Sequence, residues 1–265
     1  VLASSSEGGS AYHPPSVAEF FPDVILFAGT PFAIDRVMLV RLLMTVVVAV
    51  FFLVAMRSPK LVPRGVQNAA EYFLDFVRKH IAEDILGREQ GKRFLPLLTT
   101  LFFLIFACNV SGIIPLLNMP GTARVGLPMV LAVVTYIVFN YAGIKAQGFG
   151  PYLKNNLFPP GVPKPVYILL TPVELLSTFV IRPVTLTFRL LGNMMSGHLV
   201  LVLFFGASWY MLFQISDLWL KPVGVLSLAM GFVFTLFEML VQFLQAYIFT
   251  LLAAVYIDGA LHAEH

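Results

Sequence analysis

The chain ends in two apolar stretches that are too long to be ordinary spans. Pro165 to Ser216 and Pro222 to Ile257 are 52 and 36 residues of largely apolar sequence, split only by "DLWLK". A helix running unbroken from Val223 to Ile257, where no proline intervenes, would be ~50 Å long at ~1.5 Å per residue, against a hydrocarbon core of ~30 Å. Such a helix has to tilt well beyond the ordinary ~20° or leave the core for part of its length. The alternative is a break near Gly231 followed by one span of normal length. Either way the solvent is lipid: 58% of the 265 residues are hydrophobic, 12% are charged, and the mean hydropathy is +0.87, far from the range of soluble domains.

The rest of the chain divides around these stretches. Residues 1–36 form an N-terminal extension, expected to be partly disordered or interfacial. Its polar, Gly/Ser-rich opening "VLASSSEGGSAYH" reads as a processed or truncated end, consistent with a removed targeting peptide. Residues 37–57 hold a first transmembrane helix, in which Arg41 is near enough to one end to snorkel. In residues 58–93, Ala70, Phe73, Leu74, Val77, Ile81 and Ile85 recur at helical spacing and predict an amphipathic surface segment. Residues 94–147 contain two uncharged runs joined by "NMPGTAR", a transmembrane hairpin, and residues 148–165 are a Pro/Gly-rich linker at the membrane surface. Residues 166–265 carry the two long apolar stretches. The predicted fold is an all-α integral membrane protein of about five membrane helices plus a surface amphipathic helix, the last two long, strongly tilted and paired as a hairpin.

Basic residues orient this arrangement. Eight lie between Arg57 and Arg93, and Lys145, Lys154 and Lys164 flank the later linker, whereas Arg124 alone lies in the hairpin turn. The 57–93 connection and the later linker therefore belong inside and the hairpin turn outside, which leaves the N-terminus outside and the C-terminus inside. The surplus of 17 Lys plus Arg over 14 Asp plus Glu is too small for a nucleic-acid surface. "GREQGK" at Gly87 has the wrong spacing for a phosphate-binding loop. The single cysteine, Cys108, permits no internal disulfide, and the sequon at Asn109 reads as accidental within an apolar run.

Five ionisable residues fall inside the last two stretches: Glu174, Arg182, Arg189, His198 and Glu238. Each costs at least ~2.5 kcal/mol to insert, so such residues generally face a pathway or a partner. Arg182, just before Pro183, reads either as a snorkelling or ion-paired residue, with Glu174 eight positions earlier and roughly 80° round the helix, or as a functional one. Arg189 has no carboxylate three or four residues away, and Asn193 extends its stripe by one turn. His198 is ~13.5 Å further along and half a turn round, so the two face opposite ways. Glu238, Gln242 and Gln245 make one stripe that can meet the His198 side. Two readings of His198 and Glu238 stand, a buried hydrogen-bonded pair and a hydrated proton path built on groups able to titrate near neutrality. An arginine that never releases its proton can hold an anion but cannot pass a proton on, so Arg189 reads as a gate that awaits a mobile carboxylate from another chain.

"FRLLGNMMSGHLV", "GIKAQGFGPYLKNNLFPPGVPKPVYILLTPVELLSTFVIRPVTL", "LVQFLQAYIFTLLAAVYI" and "CNVSGIIP" together resemble subunit a of the F-type ATP synthase over about residues 60–257. The resemblance implies a stator subunit, not catalytic by itself, that conducts protons to and from the ring of c subunits through two offset half-channels. Arg189 corresponds to the essential channel arginine facing that ring. Glu174 matches a carboxylate near the channel on the ATP-producing side, Asn193, His198, Glu238 and Gln245 match polar positions of the channel, and Gln242, on the same stripe as Glu238, is read with them as lining the other half-channel. The order of the pair, with His on the earlier helix and Glu on the later one, resembles that of mitochondrial members. It implies the inner membrane, with the N-terminus on the intermembrane side and the C-terminus in the matrix.

Implied partners are the c-ring, the peripheral stalk, other membrane-sector subunits and the lipid bilayer. No cofactor, metal, nucleotide or nucleic acid is expected on this chain. A secondary ion or solute carrier with an intramembrane charge site is the alternative, and would favour two similar halves with interrupted helices, which are not seen. A haem-bearing subunit would need paired membrane histidines, and His198 is the only histidine in an apolar span.

Overall fold

A computed structural model of the chain describes residues 14–27, 29, 34–57, 60, 63–115, 117–157, 167–215 and 217–262. The membrane part is all-α, and among the described residues five helical stretches are long and apolar enough to cross a bilayer: Arg36–Ala55, Val66–Val110, Gly126–Gln147, Leu169–Gln214 and Leu218–Leu261. Helix α1 (Arg36–Ala55) begins where the Asp35 carboxylate accepts the Met38 backbone N–H at 2.8 Å, which satisfies one of the unpaired donors of the first turn.

The second stretch is bent. Helix α2 (Val66–Val77) continues through a π-helical turn at Arg78–Glu83 into α3 (Asp84–Val110), and the chain turns at Gly87, whose φ of 71° and ψ of 176° lie outside helical space. The composition changes at Arg93, but the backbone bends six residues earlier, because Arg and Lys sustain a helix whereas glycine tolerates positive φ without a Cβ clash. Gly91 then packs directly on the π turn, where a Cβ would stand 2.9 Å from the Ala82 carbonyl oxygen. Ala70, Val77 and Ile81 of the amphipathic stripe are fully buried. Phe73 remains half-exposed and meets Phe103 edge-on with ring centroids 6.0 Å apart.

Helix α4 (Gly126–Gln147) ends at Gly148, and the chain immediately forms α5 (Phe149–Leu157) where the Pro/Gly content predicts an irregular linker. Tyr152 explains it: its ring packs into the notch left by Gly143, and its hydroxyl donates to the Asn140 side-chain oxygen at 3.0 Å. Residues 158–165 of the expected linker lie outside the described residues.

Helices α6 (Tyr167–Leu176) and α7 (Arg182–Trp209) form one helical path through a π-helical turn at Ser177–Ile181. There the Arg182 N–H donates to Ser177, five residues back, and this wider turn absorbs the absence of an N–H at Pro183. Helix α8 (Lys221–Leu261) is continuous over 41 residues, ~60 Å by helical rise and twice the thickness of a bilayer core. No break occurs at Gly231, which stays helical because its missing side chain admits the Phe205 ring. Antiparallel pairing of α7 with α8 is fixed by Ser208 donating to Gly224 O, Ser227 donating to Phe204 O, and Asn193 donating to Gln245 Oε1, at 2.9, 2.9 and 2.7 Å.

The centre of the molecule is the C-terminal half of α8. Ala246, Phe249, Ala253, Ala254 and Ile257 are buried against α3 and α4. The N-terminal half keeps large apolar side chains such as Leu226, Leu236 and Leu240 exposed. Ahead of α1, a 3-10 turn (Val17–Phe20) precedes a short antiparallel pair, β1 (Val24–Leu26) with β2 (Ile34–Asp35). The expectation of little order at the start falls on residues 1–13, outside the described residues.

Candidate functional site

The two faces of α7 carry opposite chemistry. Arg189, Gly192, Asn193 and Ser196 lie on the exposed face at the spacing of successive turns. Among the described residues Arg189 makes no hydrogen bond or ion pair, and no atom lies within 4 Å of where a Cβ on Gly192 would stand. This is a strip of small and polar side chains around one unpaired cation, flanked by exposed Phe188 and Phe237. An unneutralised guanidinium at such depth is tolerated only if a partner or water reaches it.

On the opposite face Leu190, Met194 and His198 are buried. His198 is 4% exposed, as is Glu238 on α8. Glu238 lies against Gly197, so closely that an added Cβ there would collide with its carboxylate. Among the described residues no hydrogen bond joins His198 to Glu238, so the reading of them as a directly bonded core pair is not realised. One turn and two turns further along α8, Gln242 and Gln245 are also buried, as periodicity predicts. Glu238 Oε1, both amide atoms of Gln242 and Gln245 Nε2 have no partner among the described residues. Buried polar atoms are otherwise almost always paired. Here they form one row with unmet hydrogen-bonding capacity, in which the amides can bind water and the Glu238 carboxyl can take up or release a proton, and a cavity of about 280 Å³ opens beside it, lined by Asn193, Ser196, Gly197, Phe237 and Glu238 among others.

The remaining candidates sit elsewhere. Glu174 on α6 is half-buried, away from that row. Arg182 does not pair with Glu174: its guanidinium lies 5.1 Å from the Tyr256 ring centre, a cation–π contact to α8.

A family profile described as ATP synthase A chain matches residues 38–258. The chain is 55% identical over 263 residues to ATP synthase subunit a of Rhodococcus erythropolis, covering 99% of this chain and 95% of that one. It is 45% identical over 223 residues to ATP synthase subunit a of Frankia alni (82% and 74% covered), and 40% identical over 263 residues to that of Pseudarthrobacter chlorophenolicus (99% and 98% covered). The chain belongs to the ATP synthase subunit a family. Membership makes it a multi-pass, noncatalytic subunit of the synthase membrane sector with the stator's proton-channel role, and removes the carrier alternative. These relatives are bacterial, so the mitochondrial location expected from the His-first order is corrected.

Two residues escape the sequence reasoning. Asn109 on α3 is 1% exposed and accepts the Thr122 hydroxyl. It joins Asn193, Glu238, Gln242 and Gln245 around a small gap. An uncharged amide in an apolar run was its signal, masked by the accidental sequon. Phe20 reaches the ring of His198 from the N-terminal extension, and no sequence pattern points to it.

Proposed function

We propose that protons reach the c-ring through an outer half-channel formed by His198, Glu238, Asn193, Gln242 and Gln245, with Asn109 added to it, and leave past Glu174 on the ATP-producing side. Between the two, Arg189 attracts each deprotonated ring carboxylate and blocks a direct leak. The observation that carries this reading is the division of α7 itself. A partnerless arginine stands on a bare, small-residue strip, and a row of buried polar atoms with unmet hydrogen-bonding capacity runs behind it. The exposed strip fits the ring of c subunits, the partner that supplies the missing carboxylate. The peripheral stalk and other membrane-sector subunits are proposed to cover other lipid-facing surfaces.

The membrane is proposed to be the plasma membrane of a bacterium, with the N-terminus outside and the C-terminus in the cytoplasm. The segment around α2 and the connection after α4 then lie at the cytoplasmic surface, where their basic residues belong. The deciding experiment is Arg189→Ala in the assembled complex in vesicles. Coupled ATP synthesis is expected to vanish, and the membrane sector is expected to conduct protons passively under an imposed gradient. A tight membrane sector that still synthesises ATP refutes the gate.

A further inference from the structure

The N-terminal extension has one buried large side chain in its 3-10 turn, and it lies on the proposed proton path. Phe20 is 0% exposed, and its ring centre is 5.5 Å from that of His198, at an interplanar angle of 57°. No other aromatic ring contacts His198 among the described residues. Apolar packing alone does not hold Phe20 there. Arg124, in the connection between α3 and α4, donates from Nε to the Phe20 carbonyl at 2.8 Å and forms an ion pair with Asp35. Its guanidinium also lies 4.9 Å from the Phe21 ring. Asp35 is in turn the cap of α1. Arg36 donates to Leu117 O at 2.9 Å, and Arg41 donates to Arg124 O at 3.2 Å, tying the same connection to α1. The extension is thus fastened by charge-assisted bonds, the stronger class, while Phe21, Val24 and Ile25 turn outward.

We propose that Phe20 is a positioning residue of the proton path: it closes the outer access to His198, and the Asp35–Arg124 pair latches it shut. A phenyl ring neither binds nor carries a proton. Seated on the imidazole, it excludes bulk water, so that His198 exchanges protons only when the extension moves or through the polar row on the Glu238 side. This rests on the reading of His198 as a path residue.

The test is carbethoxylation of His198 by diethylpyrocarbonate in the assembled complex in vesicles, followed by peptide mass spectrometry. Phe20→Ala removes most of the plug's packing and is expected to raise the rate of His198 modification at least about tenfold, given what large-to-small substitutions cost. Phe20→Leu restores most of the volume and is expected to return the rate close to the native one. Asp35→Asn keeps an N-cap acceptor but loses the ion pair, and is expected to fall between. An unchanged rate in Phe20→Ala overturns the proposal. So does a rise matched by maleimide reactivity of the buried Cys108, since Phe20 would then be ordinary packing. If His198 opens as expected but His198→Ala conducts protons normally, the cover stands and the path reading fails.

Discussion

Arg189 has to stay charged while a mobile carboxylate passes it. Two demands meet in one side chain: it must attract an anion, and it must never hand on its own proton. The guanidinium satisfies both, with a planar fork and a proton it does not lose in proteins. A lysine in the same bare strip keeps the nominal charge but is prone to release its proton when desolvated, and its ammonium has no fork. Arg189→Lys is therefore expected to abolish proton-driven ATP synthesis in correctly assembled complexes, and near-normal synthesis in that variant would return Arg189 to a structural role. Gly197 meets a different demand, since its missing side chain leaves room for the Glu238 carboxylate. Gly197→Ala is expected to slow proton conduction at least about tenfold by displacing that carboxylate. Adding Glu238→Asp, which withdraws the carboxylate by about one bond length, is expected to restore part of the rate, as read by quenching of a pH-sensitive dye.

At the scale of elements, glycines divide into those that serve this chain's own packing and those that serve a partner. At Gly91 a Cβ meets the backbone of the π turn, whereas at Gly192, on the same strip as Arg189, it meets no atom of the described residues within 4 Å. The overlap at Gly91 costs about 1–3 kcal/mol, more than the ~1 kcal/mol that leaving glycine gains in a helix. Gly91→Val is expected to lower the amount of subunit held in membranes by immunoblot. Gly192→Val is expected to leave that amount unchanged while reducing ATP-driven proton pumping, because only the approaching ring feels it. Equal loss of subunit in both variants would mean that the Gly192 strip is not a partner surface. The helix pair itself follows the same logic: α8 is buried where α3 and α4 flank it and bare where the strip lies.

For the whole molecule, orientation is the property still to be measured. Arg88, Lys154 and Asn118 are exposed, and Cys108 is fully buried, so single cysteines at these three positions can be labelled over a silent background. An impermeant maleimide is expected to reach positions 88 and 154 from the cytoplasmic side and position 118 from the outside. Reaction of 88 and 118 from one side would invert the topology, without touching the contacts around Phe20.

Much of this protein was determined by the sequence alone because its signals are local. Twenty apolar residues specify a span wherever they occur, and the four- and three-residue spacing of Glu238, Gln242 and Gln245 puts them on one face of any helix. Nine residues are enough to turn His198 away from Arg189. What the tertiary structure decided depends on residues far apart in the chain. Gly231 leaves a break open as the alternative to one long helix until Phe205 from α7 packs against it, and Gly87 reads as part of a charged surface run until the chain bends there. Asn109 and Phe20 become neighbours of the polar row only when α3 and the N-terminal extension pack on α7 and α8. A helical pattern states which side chains share a face. Which face meets another helix, a partner or lipid is settled by the packing of separate segments, and no local period encodes it.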